Sequence, residues 1–352
     1  IERDNLQKFP AEEMKLLGEL GFMGMMVDPK YGGSGMDTIS YVLAIEEISK
    51  VDASASVCMS VNNSLVTWGL EKFGTEAQKQ HFLVPLAKGE KIGAFCLSEP
   101  EAGSDATSQQ TTAIDMGDYY LLNGVKNWIT NGGTASTYIV IAQTHKELGH
   151  KGINALIIER GMEGFERGRK LKKMGLKAQD TAELFFNDVK VPKANVIGDA
   201  TMGFKYLARF LAQERLVAAI IFQTTAQVAF DITLEYIKER KAFGKPIIMH
   251  QAIAFKLADM ETEIQAAEAL LYQAAYMKNN KMRMTKESAM AKYYASEVPV
   301  RCATEAVQIF GGYGYTKDFP VEKFYRDSKL CTIGEGTSEI QKLVISREIL
   351  KG

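Results

Sequence analysis

Lys126-Asn127-Trp128-Ile129-Thr130-Asn131-Gly132 closes a β-favouring run. Trp128 offers a flat aromatic face, and Thr130, two residues along an extended chain, offers a hydroxyl on the same side. That pairing suits a flat conjugated ring, and it equally suits a core tryptophan whose N–H needs one partner. A second segment, Phe95-Cys96-Leu97-Ser98-Glu99-Pro100-Glu101-Ala102-Gly103-Ser104-Asp105, ends a strand and enters a turn rich in small and hydroxyl residues. Backbone amides there can face a ligand or simply close a turn. Near the C-terminus Gly334 and Gly336 flank Glu335, so a ligand can come close to a carboxylate. Glu214-Arg215 stands in a long apolar run. Two acids converging on one ligand would couple, one pKa being raised by the other's charge, while Glu214 alone can pair with Arg215 or Lys238. Arg240-Lys241, ahead of Gly244, has the composition of an ordinary basic helix end.

These residues need a frame. From Ala11 to about Lys88 apolar residues recur at three-to-four spacing, as in Met14, Leu17, Leu20 and Val42, Ile45, Ile48, which predicts amphipathic helices. Asp37-Thr38 and Asp52 are placed to cap helix starts, and Thr75-Glu76-Ala77-Gln78 reads as a capping sequence. Near Ile92 the pattern changes to short β-favouring runs, Tyr119–Gly124, Tyr138–Ile141, Ala155–Ile158 and Leu184–Phe186. Long helical patterns resume over Thr201–Lys241, His250–Lys278 and Thr285–Ile309. The order helical, strand, helical predicts an α, β, α architecture ending in a bundle.

The 352 residues exceed one compact core, and 46% hydrophobic and 24% charged residues with a net charge of -1 describe an ordinary globular chain. Balanced charge provides no basic field for a phosphodiester backbone, so nucleic acid is not an expected partner. Cys58, Cys96, Cys302 and Cys331 lack C-x-x-C spacing, which points away from a zinc site or a disulfide framework and toward a reducing compartment. No metal ligand set is expected, and no run of 18 apolar residues predicts a membrane span. The chain opens at Ile1 rather than Met, so the expectation is that its first region is truncated and that any targeting segment is unread.

Taken together, the strand motif at 95–105, Trp128 to Thr130, Arg240-Lys241-Ala242-Phe243-Gly244-Lys245, His250-Gln251 and Gln308-Ile309-Phe310-Gly311-Gly312-Tyr313-Gly314 resemble, in order and spacing, the motifs of the acyl-CoA dehydrogenase family. The resemblance runs from about Leu17 to Leu350 and is strongest to short-chain and short-branched-chain members. It implies an α+β multidomain fold: an N-terminal α-helical domain over 1–91, a middle β-barrel-like domain over 92–200 and a C-terminal four-helix bundle over 201–352. It implies FAD as cofactor, held by Phe95, Leu97, Ser98, Ser104, Trp128, Ile129, Thr130, Arg240, Phe243, Gln251, Gln308, Gly311, Gly312, Thr337 and Glu339. Of these, Arg240, Phe243, Gln251 and Gln308 to Gly312 would bind the FAD of a neighbouring subunit, which implies a homo-oligomer, a dimer of dimers. Ser104, Arg215 and Gly336 would contact an acyl-CoA, and an electron-transferring flavoprotein would take the electrons. The family's members are cytoplasmic in bacteria or lie in the mitochondrial matrix, serving fatty acid or branched-chain amino acid catabolism.

By the same resemblance the reaction introduces an α,β double bond, and Glu335 occupies the family's usual base position. Glu214 occupies the position used by isovaleryl-type and long-chain members, so the chain carries both. Gly334 stands where a Tyr often precedes the base, which implies a wider pocket than a strict straight-chain C4 enzyme has. Ser56 replaces the Arg that glutaryl-CoA dehydrogenases use for a distal carboxylate, so a dicarboxylic substrate is not expected. An acyl-CoA oxidase-like or nitroalkane-oxidising flavoenzyme is the rival reading, though the latter favours Asp as base. A flavin-free assembly protein on the same scaffold is a further rival, against which Trp128, Thr130 and Glu335 argue.

Overall fold

The computed structural model describes residues 2–199 and 203–351. The expected junction at 200–201, and with it the expected helix start at Thr201, lies outside the described residues. The first region is helical: α1 (Glu2–Leu6), α2 (Ala11–Glu19), α3 (Thr38–Val51), α4 (Ala53–Ser60), α5 (Trp68–Phe73), α6 (Glu76–Gln78) and α7 (Val84–Ala87). Each expected cap forms. Asp37 accepts from the Ser40 amide, Asp52 accepts from the Ser54 and Ala55 amides, and Thr75 and Gln78 make a reciprocal capping box. Two π-helical stretches, Val61–Thr67 and Lys79–Leu83, interrupt the α-helices. The first continues α4, and such wide turns are frequent at functional sites.

The middle region is a seven-stranded sheet of β1 (Gly93–Cys96), β2 (Thr112–Asp115), β3 (Tyr119–Thr130), β4 (Thr137–Gln143), β5 (Ile153–Glu159), β6 (Phe165–Lys170) and β7 (Thr181–Pro192). The path runs β1-β4-β2-β3-β7-β6, with β5 paired to β4. The β3–β7 ladder shifts register between Lys126 and Ile129, and Trp128 takes a left-handed φ of 56° inside that irregularity. Simple strand alternation therefore breaks at the residue for which it was invoked, because a bulge re-aims one side chain. Ile129 is buried while Trp128 and Thr130 are not, so the two still share the open side.

The last region holds α8 (Gly203–Glu239), α9 (Gln251–Asn279), α10 (Thr285–Phe310), α11 (Val321–Cys331) and α12 (Ser338–Leu350), with a small hairpin of β8 (Lys241–Ala242) and β9 (Lys245–Pro246). After Gly203, α8 contains no Gly or Pro, which lets it run for 37 residues. It is long and apolar enough to cross a membrane by length and composition, yet 78% of its most apolar window is buried inside the protein. Leu216 to Phe222 join Ile264, Leu271, Ala291 and Val298 in the largest core, which also takes in Tyr41 and Met59 from the first region. Each such large side chain stabilises by roughly 1.5–3 kcal/mol on burial. α10 packs against α8, α9, α11 and α12 and so forms the axis of the bundle.

Candidate active site

The continuous segment α4 and its π-helical extension ties the sheet to the bundle. On the sheet side, Asn131 Nδ2 donates to the carbonyls of Cys58 (3.1 Å) and Gly93 (3.0 Å), fixing the end of β3. On the bundle side, Ser60 Oγ contacts Glu214 Oε1 at 2.9 Å, and Ser64 Oγ contacts Glu214 Oε2. One helical rod thus links the end of β3, next to Trp128, to Glu214.

At the platform, Trp128 is 58% exposed, a large exposure for an aromatic side chain of that size. Its amide donates to Asn127 Oδ1 at 2.8 Å, and the Asn127 amide donates to the Ser98 carbonyl at 2.8 Å, so the two sequence motifs meet. Beneath them lies Lys126, fully buried, which donates to the Leu97 carbonyl (2.9 Å), to Glu99 Oε1 (2.6 Å) and to Gln109 Oε1. The Glu99 carboxylate in turn accepts from the Gln110 and Thr111 amides. Burial lowers the Lys126 pKa to about 8, and the Glu99 charge opposes that loss. This closed network braces the turn at 97–111 without touching its open face. Phe95 and Ile129 send their side chains into two cores, Phe95 against Phe210 with ring centroids 5.2 Å apart, so only their backbone serves the site. Leu97 and Ser98 are part-buried and Ser104 is exposed.

Glu335 and Glu214 come together in one electrostatic field. The Glu335 pKa is raised, first by burial, against the lowering pull of Lys292 and Arg215. The Glu214 pKa is raised by burial and then by the Glu335 charge, while Ser64, Ser60 and Lys278 pull it down. Glu335 itself has a left-handed φ of 55°, followed by Gly336 at 87°. That strained turn is held by Lys292 Nζ, which donates to the carbonyls of Cys331 (3.0 Å) and Gly336 (2.7 Å), and by Gln341 Nε2, which donates to the carbonyls of Glu335 (3.3 Å) and Gly336 (3.0 Å). Thr337 caps α12 by accepting from the Ile340 amide at 3.3 Å, and Glu339 is exposed in its first turn. Arg215 Nε is buried without a hydrogen-bond partner, and among the described residues none donates a hydrogen bond to the Glu335 carboxylate. Of the 211–215 stretch, the side chains at 212 and 213 lie outside the described residues.

Their surroundings separate the two acids. Ser64 Oγ lies 2.7 Å from the Ser60 carbonyl as well as against the Glu214 carboxylate, so its one proton serves two acceptors. Burial and the Glu335 charge hold the Glu214 pKa up, whereas the cations Lys292 and Arg215 pull the Glu335 pKa back down.

A third group gathers at the start of the bundle. Arg240, Gly311 and Gly312 line a cavity of about 470 Å³ with Tyr236, Phe310 and Tyr313. The Arg240 guanidinium lies 5.5 Å from the Tyr313 ring centroid. A Cβ added at Gly311 or Gly312 would meet nothing within 4 Å. Phe243 and Gly244 form the two-residue tip of the β8–β9 hairpin, both with positive φ, and Phe243 is 95% exposed. Phe243, Gln251 and Gln308 do not line that cavity and lie exposed around it. Sequence reasoning missed Ser60, Ser64, Lys126, Glu99, Lys173, Gln179 and Lys292. Of these, Lys126 and Glu99 stand within the quoted motifs without a role having been given to them, and the Ser60-x-x-x-Ser64 spacing puts two hydroxyls on one helical face in an apolar stretch.

The chain thus holds two electrostatically coupled carboxylates and an exposed aromatic platform, and it is similar to known proteins over nearly its whole length. Models of the acyl-CoA dehydrogenase N-terminal, middle and C-terminal domains match residues 1–90, 94–189 and 201–350. A short-chain specific acyl-CoA dehydrogenase of Clostridium acetobutylicum is 46% identical over 350 residues, 99% of this chain and 92% of that protein. The structure of butyryl-CoA dehydrogenase from Megasphaera elsdenii superposes with a TM-score of 0.97 at 46% identity, covering 99% of this chain and 92% of that one. A chain in the structure of the electron transferring flavoprotein of Acidaminococcus fermentans also gives a TM-score of 0.97, at 45% identity, covering 100% and 92%. With three successive domain models over nearly its whole length, and relatives 46% identical over 99% of it, the chain belongs to the acyl-CoA dehydrogenase family.

Proposed function

We propose that this chain, in three regions of 1–91, 92–200 and 201–352, dehydrogenates a short or branched acyl-CoA to the trans-2-enoyl-CoA with Glu335 as base and FAD as cofactor. The observation that carries the reading is the unequal surroundings of the two carboxylates: Glu214 sits between two serine hydroxyls with its pKa raised by burial and by the Glu335 charge, whereas Glu335 has the cations Lys292 and Arg215 as neighbours. Bound FAD supplies the hydride acceptor. Glu335 takes the α-proton. Its own backbone N–H, presented by the strained turn, is a donor for the thioester carbonyl, whose polarisation makes the α-proton acidic. Lys292 and Gln341 hold that turn in register. Arg215, with an unpartnered Nε, supplies positive charge where the substrate's oxygen gains electron density.

The residues present fit FAD. Trp128 offers an uncovered ring, Thr130 a hydroxyl, and the turn of Leu97, Ser98 and Ser104 its backbone. The cavity of Arg240, Gly311 and Gly312 has a cation and two side-chain-free backbones for a pyrophosphate, and the fully projecting Phe243 suits a neighbouring subunit. A dimer-based homo-oligomer follows from that sharing. Electrons pass to an electron-transferring flavoprotein, in keeping with the close likeness to a chain in such a structure. Gly334 leaves its pocket open: a Cβ there would meet nothing nearer than 3.6 Å, room that a branched acyl group can use. The test is anaerobic mixing of purified holoprotein with butyryl-CoA and 2-methylbutyryl-CoA. Rapid bleaching of the flavin band is expected, and a protein without flavin, or one whose flavin ignores every acyl-CoA, overturns the reading.

A further inference from the structure

The loop between β6 and β7 holds a half-buried cation, Lys173. Lys173 Nζ donates to the Gln179 carbonyl at 2.9 Å, to Gln179 Oε1 at 3.2 Å and to Thr181 Oγ1 at 2.7 Å. Three ammonium protons meet three acceptors, so the group is fully committed. Gln179, itself buried, uses the other end of its amide on the platform: Nε2 donates to Thr130 Oγ1 at 2.6 Å. The loop is locked to the bundle as well, since the Leu176 amide donates to Asp327 Oδ1 at 2.6 Å and Arg326 Nη1 donates to the Met174 carbonyl at 3.1 Å.

The two ends of a side-chain amide are identified by their partners. An ammonium can only donate, so the Gln179 atom facing Lys173 is the oxygen and the atom facing Thr130 is the NH2 group. That nitrogen also can only donate. The Thr130 hydroxyl is therefore the acceptor, and its single proton is left for a partner on its open side. Without the ammonium the amide is free to turn over, and its oxygen would then consume the Thr130 proton.

We propose that Lys173, acting through Gln179, is a positioning residue that keeps the Thr130 proton directed at the flavin and so raises the reduction potential of the bound cofactor. The inference rests on the reading of Thr130 as a flavin-facing residue. Reduction adds negative charge to the ring, and a donor already aimed at that charge favours the reduced form without reorganising.

The experiment is an anaerobic redox-dye titration of the holoprotein. Lys173→Met is expected to retain FAD and to shift the reduction equilibrium roughly tenfold toward the oxidised form, about 30 mV for a two-electron couple. Repeating the substitution in a Thr130→Val background separates the relay from bare charge, because an effect transmitted through the hydroxyl largely vanishes there. Gln179→Glu is the second variant: it keeps a partner for Lys173, but a carboxylate only accepts, so it takes the Thr130 proton and lowers the potential further in the Thr130-containing protein than in the Thr130→Val background, where only its added charge acts. An equal drop in both backgrounds, or no drop in either variant, overturns the proposal and leaves the FAD reading standing. A parent protein purified without flavin overturns both.

Discussion

Glu335 hangs from the turn between α11 and α12 with Lys292 and Arg215 as charged neighbours, whereas Glu214 is held mid-helix in α8 between two serine hydroxyls. Burial raises the pKa of each, so burial alone says nothing about which is the base. The neighbours differ in kind. Cations favour a charged carboxylate at Glu335, while Glu214 has two serine hydroxyls and feels the Glu335 charge. One residue type thus acquires two surroundings within a single field, and the difference comes from groups far apart in the chain.

The hardest test of that contrast is Glu335→Gln, which preserves size and removes proton affinity. Loss of ~10³-fold or more in the rate of flavin bleaching is expected, since general-base catalysis alone supplies roughly 10²–10⁴. FAD content and binding of an unreactive acyl-CoA analogue should survive. Next in size is Lys292→Met, which frees the carbonyls of Cys331 and Gly336 and lets the Glu335 turn relax. A misplacement of about 1 Å can cost on the order of 10²-fold. Stopped-flow bleaching should show a fall of that order with FAD retained, and an unchanged rate would mean that Gln341 suffices to hold the turn. Glu214→Gln should cost under about tenfold, because the amide keeps a donor for Ser64 and an acceptor for Ser60 and no proton transfer is assigned to it. The reverse ranking, with Glu214→Gln inactive and Glu335→Gln active, would move the base to α8 and the substrate toward isovaleryl-like or longer chains.

The smallest effect concerns pH. The folded-state pKa of Glu214 lies above its unfolded value, so the folded protein binds this proton more tightly. That contribution to stability is complete below the unfolded value of about 4.3 and is lost as pH rises through the raised folded pKa. Melting temperature should therefore fall more steeply from acid to alkaline pH in the parent than in Glu214→Gln. Parallel curves would mean that Glu214 is already ionised in the folded state.

Much of the frame was legible in the chain. The caps at Asp37, Asp52 and Thr75 act within three residues of themselves, and the long helices after 203 follow an unbroken apolar period, so local physics sufficed for both. β6 was not legible, because Phe165-Glu166-Arg167-Gly168-Arg169-Lys170 is a charged edge strand paired only with β7. Nor was β2, four residues long, or the π-helical course of Val61–Thr67, which depends on the packing around it. In the candidate site, Trp128, Thr130, Glu335 and Glu214 were picked out by residue type together with the resemblance to the family's motifs. The residues that set their states did not: Ser60 and Ser64 meet Glu214 across 154 and 150 positions, and Gln179 meets Thr130 across 49.

By itself the sequence determined the order of helical, strand and helical regions, the ends of the capped helices and the kinds of group available for chemistry, because these depend on propensity, periodicity and neighbours along the chain. Only the tertiary structure decided which groups surround each carboxylate, which way the Gln179 amide faces and how the Trp128 bulge aims its ring. Those outcomes turn on desolvation and on counting donors against acceptors among side chains that fold brings within about 3 Å, and neither quantity exists in an extended chain.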